Sequence, residues 1–273
     1  MTLKTLHLSK SGATVAFRAQ GAGEPLVLLH GVGMQSAAWG PQLEALQRDY
    51  RVIAVDLPGH GGSGPLPQGS ALRDFVAWCH DVISSLNLGR VNLAGHSMGA
   101  LIVAGYAVTH PDMTRRVALL NGVYLRDDAA SAAVVARAAE ICAGQSGQLD
   151  IQTPLARWFG TSAADGANRA QVTSWLSAVD RAGYGTAYAA FAHGDKVYAD
   201  QLSRVTCPFL ALTGDGDRNS TAEMSVAMAT RAQNGRAMVI KGHGHMANLT
   251  AADQVNECLL TWLKQPETQK ELL

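Results

Sequence analysis

In Gly95-His96-Ser97-Met98-Gly99 a serine stands between two glycines, each two positions away. The apolar run Val91 to Ala94 precedes it and the apolar helical stretch Met98 to Val108 follows. A serine on a sharp strand-to-helix turn has its hydroxyl lifted clear of the sheet, and glycines flank it because the turn leaves no room for side chains. The helix start then aims its partial positive charge at a reacting oxygen. This is equipment for nucleophilic attack on a carbonyl. The plainer reading, an inert serine at a Gly-rich helix start, does not explain the strand before it and the helix after it.

A serine hydroxyl attacks only when a base takes its proton and a third group holds the base. Of nine histidines, only His243 and His245 follow a late apolar run, in Gly242-His243-Gly244-His245-Met246. Two aspartates follow the run Phe209 to Leu212, in Thr213-Gly214-Asp215-Gly216-Asp217. The order along the chain is therefore Ser97, Asp215 or Asp217, then His243 or His245. The two histidines read poorly as a metal pair, because zinc takes three or four ligands and no Cys, Asp or Glu cluster surrounds them. The oxyanion left by the attack needs backbone donors. One is the N–H of Met98, the residue after the nucleophile, and the other lies in the loop His30-Gly31-Val32-Gly33. Other Gly-rich readings fail on detail. Gly31-x-Gly33-x-x-Ser36 lacks the third glycine of a dinucleotide fingerprint, and after Gly59 to Gly64 comes Pro65-Leu66 where a phosphate loop needs Lys-Ser/Thr.

These residues need a scaffold, and the chain alternates short apolar runs with amphipathic stretches. The runs are Leu26 to Leu29, Val52 to Asp56, Val91 to Ala94, Val117 to Leu120, Phe209 to Leu212 and Ala237 to Ile240. The helical stretches include Leu72 to Leu86, Met98 to Val108, Ala222 to Ala232 and Ala251 to Leu263. Alternation of this kind predicts an α/β fold, a mostly parallel sheet covered by helices on both faces. From Val123 to about Ser203 no strand-like run occurs. Helical patterns over Ala129 to Ala143, Arg169 to Ala182 and Tyr184 to Ala192 predict a helical lid (123–203) over the carboxyl edge of a core formed by 1–122 and 204–273.

Composition excludes other classes. Among 273 residues, 22 Lys+Arg balance 22 Asp+Glu, and hydrophobic residues make up 47%. That is neither a disordered chain nor one with the basic surface of a nucleic-acid binder. No apolar run approaches the roughly 18 residues of a membrane span, and the opening residues lack the apolar core of a signal peptide. Cys79, Cys142, Cys207 and Cys258 are widely spaced and read as small buried hydrophobes in a reducing cytoplasm. The expected partner is a small-molecule substrate, with no nucleic acid and no membrane; oligomeric state is not legible.

Over essentially its whole length the chain resembles the α/β-hydrolase superfamily. The resemblance rests on Gly95 to Gly99, the acid loop read as Gly-x-x-Asp, and the His-Met turn before the last helix. It selects Asp217 over Asp215 and His245 over His243. It also assigns the first oxyanion donor to the N–H of Val32, in preference to Gly33, makes His30 a structural brace, and marks Asp56 to Ser63 as a stiff turn without chemistry. Ser97 removes the dehalogenase and epoxide hydrolase branches, which carry Asp there. Arg157-Trp158-Phe159, the helix Tyr184 to Ala192 followed by Gly194-Asp195, and His245-Met246-Ala247-Asn248 resemble 3-oxoadipate enol-lactonase-like enzymes. The chain departs from them at Arg218-Asn219-Ser220-Thr221, which lacks a proline, and at Thr250-Ala251-Ala252 in place of Glu-x-Pro.

The resemblance implies a cofactor-free and metal-free serine hydrolase working through an acyl-enzyme. A small ester or lactone is the first expectation, in particular a carboxylate-bearing enol-lactone from aromatic-compound breakdown. An amide (deformylase or deacylase chemistry) or a C–C bond is the alternative, and a non-catalytic metabolite-binding protein is a third reading. A carboxylate substrate needs a cation. Arg157 and Lys196 are the lid candidates, each equally readable as a solvated surface charge. Trp158 and Tyr184 are candidates for substrate contact, though aromatics in such a lid more often build its core.

Overall fold

Each of the six apolar runs forms a strand; five are covered on both faces, as a run apolar on both faces requires, and the last, at the sheet's edge, leaves Met238 and Val239 exposed. A computed structural model describes residues 2–144, 149–160 and 163–267. Its strands are β1 (Lys4–His7), β2 (Thr14–Gln20), β3 (Glu24–Leu29), β4 (Tyr50–Val55), β5 (Val91–His96), β6 (Thr114–Leu120), β7 (Phe209–Gly214) and β8 (Gly235–Ile240). They make one eight-stranded sheet in the order β1-β2-β4-β3-β5-β6-β7-β8. The pairs from β4 through β8 are parallel; β1 with β2 and β2 with β4 are antiparallel.

The side-chain alternation of a strand divides the core in two. Val27, Leu29, Ile53, Val55, Leu93, Val117 and Leu119 face one cluster. Leu26, Leu28, Val52, Ala54, Ala94, Ala118 and Leu120 face the other, which α1 (Gly40–Leu46) and α10 (Ala252–Leu263) cover with Leu43, Leu46, Leu259 and Trp262. On the first face lie α2 (Leu72–Ser85), α3 (Met98–Thr109) and α8 (Ala222–Arg231). Helix α2 is one-sided, burying Leu72, Phe75, Val76, Cys79, Val82 and Ile83, the spacing of an amphipathic helix. From Met98 to Val108 α3 is buried all round, as an apolar helix with no polar stripe must be.

Between β6 and β7 the described chain is helical: α4 (Asp128–Ala143), α5 (Gln152–Trp158), α6 (Ala163–Ser177) and α7 (Arg181–Ala192). Positions 145–148 and 161–162 of this interval lie outside the described residues. The expected helix over 169–182 is in fact two, because Asp180 leaves the helical conformation and its carboxylate caps α7 by accepting the Gly183 N–H at 2.6 Å. The last helix is also divided. At Ala251 (φ −125°, ψ 39°) the chain breaks between α9 (Ala247–Thr250) and α10. The insertion has no core of its own: Leu155, Phe159, Val172, Leu176, Tyr184 and Ala187 are continuous with the cluster under α2 and α3. Where α7 meets the turn after β4, a Cβ on Gly59 would overlap the Cα of Gly183, so two backbones touch there. All four cysteines are free, Cys79 buried and the others half-buried. No described helix is long and apolar enough to cross a membrane.

Candidate active site

At the carboxyl end of β5 the chain reverses into α3 with Ser97 at φ 54°, ψ −114°, a conformation a residue with a side chain adopts only under constraint. Both glycines of the motif are required. A Cβ on Gly95 would overlap the carbonyl oxygen of Gly99, and one on Gly99 would overlap that of Leu29. The Ser97 N–H is tied to the Leu120 carbonyl at 2.9 Å, which fixes the turn against β6.

The loops after β7 and β8 bring Asp217 and His245 together, both buried. His245 Nδ1 donates to Asp217 Oδ2 at 2.8 Å, and Asn121 Nδ2 donates to the same oxygen at 2.8 Å. Asp217 Oδ1 accepts the N–H groups of Asn219 (2.8 Å) and Ser220 (3.1 Å). Burial by itself would raise this carboxyl group's pKa, but His245 and the three other donors outweigh it and hold it below the usual carboxylate range. The rejected neighbours are occupied elsewhere. Asp215 Oδ1 accepts the Gly242 N–H at 2.8 Å, closing a turn, and His243 Nδ1 pairs with Thr250 Oγ1 at 3.0 Å.

His96 links the serine turn to the imidazole. Its Nε2 donates to the His245 carbonyl at 2.7 Å, and its ring centroid lies 4.9 Å from that of His245. Burial and the neighbouring His245 push its pKa down to about 3, so it is a neutral donor.

The loop after β3 is braced by two further imidazoles. His30 Nδ1 donates to the Gly31 carbonyl at 2.8 Å while its Nε2 accepts the Leu57 N–H at 2.9 Å. His60 Nδ1 donates to the Pro58 carbonyl at 2.9 Å while its Nε2 accepts the Gly33 N–H at 2.9 Å. His30 is the brace expected of it. His60 shows that the stiff turn after β4 also positions the loop, and it engages the N–H of Gly33, leaving Val32 as the loop's candidate donor. Gly31 lies against the serine turn, since a Cβ there would come within 3.0 Å of the Ser97 Cβ. A strained serine at a helix start thus shares the carboxyl edge of the sheet with an imidazole oriented by a carboxylate, an arrangement suited to attack on a carbonyl.

The insertion supplies the roof. The Trp158 ring lies over His245 at 5.8 Å and 29° between planes. Tyr184 is buried, 6.1 Å from His60, and packs on Gly33. Arg157 is exposed beside Trp158. Lys196 is also exposed, and the structure does not bring it into the interior; the cation at that turn is Arg126, whose Nη1 donates to the buried Asp195 at 3.0 Å. Sequence reasoning missed the roles of Arg126, Asn121 and His96, since each is defined by a partner far along the chain, even though His96 stands within the serine motif itself. Among the described residues no group of three or more His, Cys, Asp or Glu could hold a metal ion.

A family model described as "Alpha/beta hydrolase family" matches residues 26–257. The chain belongs to that family. This hydrolase is 52% identical over 264 residues, 97% of its own chain and 99% of the relative, to an (E)-2-((N-methylformamido)methylene)succinate hydrolase of Acinetobacter baylyi. Among solved structures it is similar to a thermophilic esterase of Thermogutta terrifontis (TM-score 0.87, 22% identity, 97% of this chain and 98% of that one). It is also similar to the enol-lactonase of Burkholderia xenovorans (TM-score 0.80, 22% identity, 93% and 98%). At that identity the structural neighbours establish the α/β-hydrolase fold alone.

Proposed function

We propose that this protein is a serine hydrolase of a small, carboxylate-bearing amide, an N-formyl enamine of the methylene-succinate type. The observation that carries this reading is the 52% identity to a hydrolase of such a compound, extending over almost the full length of both chains and so through the insertion. It moves the preferred bond from the ester or lactone first expected to the amide. The substrate name itself combines a formamide carbonyl with two carboxylates.

In the proposed cycle His245 takes the Ser97 proton as the hydroxyl oxygen attacks the formamide carbon. Asp217 holds the imidazole in the required tautomer, and the N–H groups of Val32 and Met98 take the oxyanion. Collapse breaks the C–N bond, the imidazolium returns its proton to the departing enamine, and a formyl ester remains on Ser97. Water, deprotonated by His245, then releases formate and restores the serine. Helices α4 to α7 act as the lid, with Trp158 excluding solvent from the imidazole, and Arg157 offers charge to a carboxylate.

The test is formate release from synthetic (E)-2-((N-methylformamido)methylene)succinate by the wild type and by Ser97→Ala, beside p-nitrophenyl acetate and an enol-lactone. Serine-dependent formate release well above turnover of the other two supports the reading. Efficient turnover of ester or lactone with none of the formamide overturns it.

A further inference from the structure

Arg157 and Lys196 are exposed, whereas a third cation near α7, Arg126, lies in the interior. Six residues beyond β6, this side chain is 3% exposed. Its backbone N–H donates to Asp195 Oδ2 at 2.7 Å and its Nη1 to Asp195 Oδ1 at 3.0 Å. The guanidinium carbon lies 4.5 Å from the centroid of the Phe191 ring. The group is therefore fixed along one edge and on one face. Its Nη2 is fully buried and meets no acceptor. Buried donors without acceptors are rare because the lost hydration is not replaced, and a free guanidinium edge is complementary to a carboxylate.

The surroundings connect this edge to the serine turn. Gly194, next to Asp195, packs on Leu101, about one helical turn beyond Ser97 on α3. Along α7 the Phe191, Tyr188 and Tyr184 rings follow one another at 5.9 and 5.8 Å, and Tyr184 closes on Gly33 of the loop after β3.

We propose that Arg126 Nη2 forms the subsite that takes a carboxylate of the substrate. This rests on the function proposed above. It names Arg126 as the specificity-determining residue: its rigid fork selects a carboxylate at the far end of the amide and discriminates against neutral analogues.

Succinate serves as the probe. It is expected to inhibit p-nitrophenyl acetate turnover competitively and to raise the melting temperature of Ser97→Ala, with dimethyl succinate doing neither. Arg126→Lys keeps a cation for Asp195 but cannot serve two acceptors in the fork geometry. It is expected to weaken succinate at least tenfold and to lower by at least tenfold the ratio of kcat/KM for the dicarboxylate formamide to that for p-nitrophenyl acetate. If Arg126→Lys does not fold, Ser97→Ala soaked with the formamide decides: a carboxylate within hydrogen-bond distance of Nη2 supports the subsite, and one bound elsewhere overturns it. Formamide hydrolysis with no succinate binding, or an unchanged ratio in folded Arg126→Lys, makes Arg126 only the structural partner of Asp195. Succinate binding lost in Arg126→Lys, without formamide hydrolysis by the wild type, leaves the subsite standing and removes the amide.

Discussion

Lowering the pH from about 7 to about 5 should drain stability from this protein through His30, His60 and His96. The first two rings each donate through Nδ1 and accept a backbone N–H through Nε2. A second proton would set one N–H against another. Burial is the main cause that lowers all three pKa values below the ordinary 6.5, that of His30 well below and that of His96 to about 3. The unfolded chain takes up its protons near pH 6.5, while the folded chain resists them. The stabilisation is thus intact above that pH and is lost as the pH falls toward the folded values. Each proton bound only by the unfolded chain is worth about 1.4 kcal/mol per pH unit. Two to three of them give a slope of about 3–4 kcal/mol per unit between pH 6 and 5, against a total stability of order 5–15 kcal/mol. Urea unfolding followed by far-UV circular dichroism at three or four pH values reads the slope directly. His96→Gln should make it shallower by about 1.4 kcal/mol per unit. A wild-type slope below that of a single proton would refute the assignment of three neutral buried imidazoles.

Two further outcomes concern the backbone. Ser97→Gly removes the cost of a side-chain-bearing residue at φ 54°, ψ −114°, so it should abolish turnover while raising stability by about 1 kcal/mol; a urea midpoint equal to or below the wild type's would show that the turn is not strained. Gly183→Ala sets two effects against each other. Alanine improves α7 by about 1 kcal/mol, but its methyl meets the Gly59 backbone and overpacking costs about 1–3 kcal/mol. A net loss is expected in urea unfolding, and a variant more stable than wild type would mean that the two backbones separate freely.

The site was legible where the chemistry imposes a local pattern. Gly95 and Gly99 announce Ser97 because the turn has no space for anything larger, and loops after strands at the right points in the chain hold Asp217 and His245. Strands β1 and β2 escaped notice because neither carries an apolar run of four: Lys4 to His7 is mostly exposed, and in Thr14 to Gln20 only Val15, Ala16 and Phe17 are buried before Arg18 interrupts. Helix α1 is seven residues long and opens on Gly40-Pro41, which reads as a turn. The Arg126–Asp195 pair spans 69 residues. No spacing within either segment distinguishes Arg126 from the other arginines of the chain. His60 was read as turn filler because its acceptor role depends on Gly33, 27 positions earlier.

The fixings of α7 bear on how substrate reaches the serine. Its first turn rests backbone to backbone on Gly59, and beyond its last turn Asp195 is clasped by Arg126. Swinging the insertion away as one piece would break both fastenings and wet Tyr184, Ala187 and Ala190, which are part of the main core. On the other side the short α5 lays Trp158 over the imidazole and is itself held in that core by Leu155 and by Phe159 at its end.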